Sequence, residues 1–230
     1  CSDRSSGPDR HKGSDPMNAM TKAHLRAIHT SLDVYYRDAD RTARMDRLNA
    51  QFVPKGGLAF DIGAHVGDRT GSFLRLGATV VAAAPQPHVF RALRLLYGGC
   101  DRAHLHQTAV GATPGTLALH VNTDNPTITT ASADLIAAAQ TAKQWQGQVW
   151  DSRITVDVTT LDRLIAEHGM PDFVKIDVEG HELEVLKGLT QRPAALSFEF
   201  TTIQKDVALH CLAQMAVLGP YEFNASLGED

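Results

Sequence analysis

Two textures of apolar and polar positions divide this chain. From Thr21 to Phe52 no glycine or proline interrupts a mixture of Ala, Leu, Arg and Asp. Leu25, Ile28, Leu32 and Tyr35 or Tyr36 recur there at helical spacing, which predicts a helical extension over residues 17–56. Beyond residue 57 the texture changes to short apolar runs alternating with segments of helical periodicity: LAFDIGA, DRTGSFLRLG, TVVAAAP, HVFRALRLLYG and HLHQTAV. Strands alternating with helices of about ten residues predict a parallel sheet with helical crossovers. LAF and TVVAA are apolar at successive positions, as strands covered on both faces require. The alternation lapses in a polar stretch from Thr123 to Trp150. It resumes with TVDVTTLDRLIAEHG, FVKIDVEG, ELEVLKGL, ALSFEF and a helix from Asp206 to Leu218. Tyr221, Phe223, Ala225 and Leu227 then alternate like a strand. The chain ends before another could follow, which leaves the expected sheet incomplete at its C-terminus.

Composition narrows the class. A chain of 230 residues, 43% hydrophobic and 21% charged, is ordinary globular matter. It is long enough for one large domain, here residues 57–230 plus the extension, without a metal or disulfide staple. A net charge of −4 argues against a general nucleic-acid binder, whose footprint is basic. Cys1, Cys100 and Cys211 show no C-x-x-C spacing, which points to a reducing, cytoplasmic compartment. No apolar run approaches the roughly 20 residues of a membrane span. Residues 1–16 are polar and lack the apolar core of a signal peptide. They read as a disordered leader, with Met17 a candidate start of a processed or incomplete copy.

FDIGAHVGDRT carries the first chemistry. A strand ends at Asp61, turns through Gly63 and enters a helix near Gly67. In an open parallel sheet such a loop lies where ligands bind, beyond the carboxyl ends of the strands. The loop lacks the Lys of a phosphate-binding loop and the G-x-G-x-x-G of a dinucleotide fingerprint. An acidic residue ahead of the first glycine suits a cationic ligand better than a pyrophosphate, and S-adenosylmethionine (SAM) is of that kind. Capping of the next helix is the competing role for Asp61.

PDFVKIDVEGHELEVLKGL is a second strand-loop-helix unit, with Asp177 and Glu179 at the carboxyl end of its strand and Glu182 beyond. Acids near a helix N-terminus complement its dipole, but three in one short loop exceed that need. Taken with APQPHVF, TAVG, GTLALHV, TLDRL and FEF in order, the chain from about Gly57 to Phe200 resembles the FkbM family of SAM-dependent methyltransferases. The resemblance implies an α/β class I methyltransferase fold: a mostly parallel, twisted sheet with helices on both faces. It implies SAM as cofactor and S-adenosylhomocysteine as product. The cofactor would be held by Asp61, Gly63, Ala64, His65, Gly67 and Thr70, by Gln86, Ala109 and Val110, and by Asp177. It also implies a small-molecule acceptor, with O-methylation of a sugar or natural-product hydroxyl as the leading activity. A dimer is compatible with it. One departure stands out: Ala84 occupies the place, after the second strand, where the family usually carries the Glu that holds the ribose hydroxyls. A protein impaired in SAM binding, or a binding module, is therefore the alternative function. An NAD-dependent oxidoreductase is disfavoured by the missing fingerprint.

Methyl transfer from a sulfonium needs an acceptor oxygen in line and a group to take its proton. Asp177 and His181 are the candidates for that role. Carboxylates at Asp177, Glu179 and Glu199 have the chemistry to hold a divalent cation, but their sequence does not show convergence, and no metal is assigned. Trp145 and Trp150 either form an acceptor lid or tuck into the core.

Overall fold

The computed structural model describes residues 16–226. All of the expected leader except Pro16 lies outside the described residues, as does Leu227. The chain runs α1 (Pro16–Tyr36), α2 (Ala39–Asn49), β1 (Leu58–Ile62), α3 (Asp68–Arg75), β2 (Thr79–Ala83), α4 (Pro87–Tyr97), β3 (Ala103–His106), β4 (Ala109–Val110) and β5 (Gly115–Val121). It continues with α5 (Ala133–Thr141), β6 (Ser152–Thr159), α6 (Leu161–His168), β7 (Phe173–Ile176), α7 (Glu182–Lys187), β8 (Ala195–Phe198) and α8 (Lys205–Leu218).

Five strands form a wholly parallel sheet in the order β3-β2-β1-β7-β8. In β1 and β2 every residue after the first is buried, the two-sided burial that their unbroken apolar runs predict. One face packs Ala59, Val80 and Ala82 against Phe73 and Leu74 of α3 and Leu93 of α4. The other packs Phe60, Ile62 and Val81 against α6, α7 and α8 through Leu164, Leu186 and Met215. Each such large side chain contributes about 1.5–3 kcal/mol when fully buried. Helices on both faces of a parallel sheet make this the α/β architecture expected from the alternation. A second, three-stranded sheet, β4-β6-β5, is built from the long excursion between β3 and β7.

One sequence expectation is made more detailed and one is corrected. The N-terminal extension is two helices, because Asp38 adopts an extended conformation and its carboxylate accepts the Arg41 amide at 2.9 Å. A side-chain cap of this kind is worth about 1 kcal/mol and starts a new helix. Residues 221–226 form no strand. Tyr221 instead donates to the Pro193 carbonyl at 2.8 Å, with the Arg192 guanidinium over its ring. Residues 222–226 are all exposed, so the alternation there has no apolar face to bury. The polar 123–150 stretch is not featureless. It holds α5, capped by Ser132, between two short 3-10 turns. Among the described residues no helix is long and apolar enough to cross a membrane.

Candidate functional site

β1 pairs with β2 on one side and β7 on the other, so the crossovers leave in opposite directions at this point of the sheet. Ligands of open α/β sheets sit at that switch, beyond the carboxyl ends. Here a cleft of about 650 Å³, open to solvent, occupies it. Gly63, His65, Ala84 and Asp177 line the strand side. Leu117 and Leu119 of β5 and Thr127 and Thr129 of the following turn line the opposite side. The small sheet thus roofs the carboxyl end of the large one.

Two backbone devices shape the floor. Gly63 has φ of 79°, and a Cβ there would strike the Asp177 carbonyl oxygen. The loops after β1 and β7 therefore touch, and only glycine permits it. Among the described residues, His65 and Glu179 are the non-glycine residues with positive φ, at 46° and 54°. Both line the cleft, where strained backbone is held because the surroundings over-determine it.

Charge is arranged around Lys175, whose side chain is 12% exposed. Its Nζ donates to the Gly63 carbonyl at 3.1 Å and pairs with Asp177 at 3.2 Å and Asp61 at 3.4 Å. Burial opposes that ammonium, but Asp177 and Asp61 outweigh it and keep it charged. Burial likewise works to raise the Asp177 carboxyl. Lys175 and a hydrogen bond with Glu199 prevail, so Asp177 sits below the usual carboxylate range and is ionised. Loss of water and the Asp177 charge push Glu199 up to about 8. Burial and the charge of Asp177 hold Glu179 well above its ordinary value. One ionised carboxylate of the cleft wall, Asp177, therefore stands beside two groups that favour the protonated state, Glu179 in the wall and Glu199 outside it. His65 is lowered to about 4 by burial, and His181 is lowered chiefly by burial, so both imidazoles are neutral at pH 7.

The structure brings Gly63, His65, Ala84, Gln86, Ala109, Val110, Asp177 and His181 together around the cleft. Asp61, Ala64, Gly67 and Thr70 stand behind it. Asp61 is wholly buried, and its Oδ2 accepts from Thr70 Oγ1 at 2.6 Å, so it anchors the loop from beneath. Gly67 clears Leu93 and Tyr97, which a Cβ would strike at 2.5 and 2.7 Å. It serves the packing of α3 on α4. Glu182 is 2% exposed, and its Oε1 accepts the amides of Val178 and Gly180, each at 3.1 Å. It folds the acidic loop rather than facing the cleft. Gln86 donates to the Pro126 carbonyl at 2.9 Å and ties the roof to α4. Trp145 and Trp150 stack on each other and do not line the cleft. Trp150 braces the roof by donating to the Ile128 carbonyl at 2.9 Å.

Sequence reasoning predicted the helix but missed the contacts of α1 with the site. Ser31 meets the His65 ring at 3.0 Å, the Tyr35 hydroxyl lies near the Thr127 side chain, and Tyr36 donates to the Val66 carbonyl at 2.9 Å. The helical extension thus braces both the loop after β1 and the roof. The apolar stripe announced a buried face but carried no sign of which surface would receive it. Thr129 was also missed: its hydroxyl is buried without a hydrogen-bond partner in the cleft wall.

Comparison with known proteins agrees with this geometry. Residues 61–213 match the Methyltransferase FkbM domain. The hexuronic acid methyltransferase AglP of Haloferax volcanii is 27% identical over 184 residues, which cover 77% of this chain and 69% of that protein. The matched span takes in the loop after β1, the roof and the acidic loop after β7, and the chain belongs to the FkbM family of SAM-dependent methyltransferases.

Proposed function

We propose that this methyltransferase transfers a methyl group to a hydroxyl of a sugar or sugar-like small molecule, with residues 57–230 as the catalytic unit and 17–56 as its brace. The single observation that carries the reading is the neutral His181 imidazole lining the same cleft as the ionised Asp177. A neutral acceptor hydroxyl needs a proton acceptor there. The ionised Asp177 in the cleft wall also disfavours binding of an anionic acceptor.

The residues present fit the cofactor. Ala84, Ala109, Val110 and Leu119 form an apolar slot of the kind a purine fills, and the unpartnered Thr129 hydroxyl supplies a hydrogen-bonding group for a ribose hydroxyl. Thr129 therefore supports an intact cofactor site over the impaired-binding alternative that Ala84 raises. Asp177 is the acceptor for the amino group. When bound, SAM supplies a methyl group activated by its sulfonium. His181 takes the acceptor proton, Asp177 orients the hydroxyl, and β5 with the 126–131 turn keeps bulk water from the reacting end.

The relative from Haloferax volcanii is named for a hexuronic acid, so a panel of neutral hexosides and hexuronic acid glycosides tests the proposal. With methyl-labelled SAM, the expected product is an alkali-stable methyl ether, and His181→Ala lowers kcat at least tenfold with little change in KM for SAM. An alkali-labile methyl ester, or full kcat in the variant, overturns the reading.

A further inference from the structure

Away from the cleft, three imidazoles gather between the edge of the main sheet and the end of α6. His104 and His106 are two apart on β3, in register with Val81 and Ala83 of β2, whose side chains lie in the core shared with α6. They therefore face that helix. His168 closes α6 and meets them: its Nε2 is 2.9 Å from His106 Nε2, and its ring centroid is 5.0 Å from that of each β3 histidine. Glu167 Oε1 lies 3.5 Å from the same His168 nitrogen. One ligand atom from each of His106, Glu167 and His168 falls within 4.8 Å of the others. None of these residues lines the cleft.

We propose that His106, His168 and Glu167 form a site for a borderline transition-metal ion such as Zn²⁺, which clips the C-terminal end of α6 to strand β3. Two imidazoles and a carboxylate are a ligand set such an ion takes readily. In a tetrahedral Zn²⁺ site with Zn–N near 2.0–2.1 Å, two ligand nitrogens stand about 3.3 Å apart. The two Nε2 atoms already point at each other about half an ångström closer than that, so a small side-chain rotation opens the space. Two facing nitrogens without an ion share one proton between two lone pairs, whereas an ion uses both. The fourth position falls to water. β3 ends the five-stranded sheet and is hydrogen-bonded to β2 alone within it, so a clip there pins an element that has one strand neighbour.

Cobalt(II) reports the site through its visible absorption, and Zn²⁺ competes it out. The full chain is expected to take up one Co²⁺ with tetrahedral-type bands, no thiolate charge-transfer band, and a higher melting temperature in excess Zn²⁺. His106→Gln and His168→Gln each weaken uptake at least tenfold, and Glu167→Gln weakens it severalfold, while Asp177→Asn leaves it unchanged. Glu167 is 61% exposed, so its variant reads the site even if a histidine variant folds poorly. The proposal is overturned by no saturable uptake, by a thiolate band that survives His106→Gln, or by loss with Asp177→Asn alone.

Discussion

Position 84 shows how one side chain sets two opposed effects. Ala84 is 2% exposed and packs with the apolar cluster of β2, yet it also lines the cleft. A carboxylate placed there loses water on the protein side, which costs stability. On the cleft side it accepts hydrogen bonds from ribose hydroxyls, worth about 1.5–3 kcal/mol. Ala84→Glu is therefore expected to melt lower without cofactor but to show a larger rise on adding SAM. Equal rises in both forms would mean that position 84 does not face the ribose. Thr129→Val, which removes the unpartnered hydroxyl but keeps the volume, should weaken SAM binding about three- to tenfold by calorimetry. Glu199 gives a pH signature. Its carboxyl is raised from 4.5 to about 8 by loss of water and by Asp177, so between those values the native state holds a proton that the unfolded chain releases. That contribution is complete below about pH 4.5 and is lost as pH rises through about 8. The wild type should lose melting temperature relative to Glu199→Gln as pH rises from about 4.5 to about 8. Parallel curves would show that Glu199 carries no such shift.

At the scale of elements, α1 decides how the cleft edge is held. The Tyr36 hydroxyl joins the Val66 carbonyl and the Tyr97 hydroxyl, each at 2.9 Å, and so locks α1 to the loop after β1 and to α4. Tyr36→Phe leaves partners unsatisfied and should cost about 1–3 kcal/mol in urea unfolding. Unchanged stability would show that α1 is held by its apolar stripe alone. The parallel strands were legible because LAF and TVVAA are apolar on both faces. The acidic loop was legible because its carboxylates exceed what helix capping requires. The contacts of α1 were not legible, since Ser31 reaches His65 and Tyr36 reaches Val66 across some thirty residues of chain. The pairing of Glu199 with Asp177 depends on β8 lying beside β7, which periodicity does not state. The alternation at 221–226 misled for the opposite reason: a period of two describes any extended segment, and this one has no neighbour.

For the whole molecule, a parallel sheet supplies a rigid floor, the loops after β1 and β7 meet at its switch point, and β4, β5 and β6 with the 126–131 turn form the roof. The roof is tied down at two places and braced within itself at a third: Thr130 Oγ1 donates to the Glu179 carbonyl, Gln86 donates to the Pro126 carbonyl, and within the roof Trp150 donates to the Ile128 carbonyl. The central claim is that one cofactor sits between that floor and that roof. The most direct test is a crystal structure of the chain with saturating S-adenosylhomocysteine. The account predicts one molecule in the cleft lined by Gly63, Ala84, Ala109, Thr129 and Asp177, with its ribose at Thr129. Density for the molecule at any other site, or an empty cleft at saturation, would contradict it.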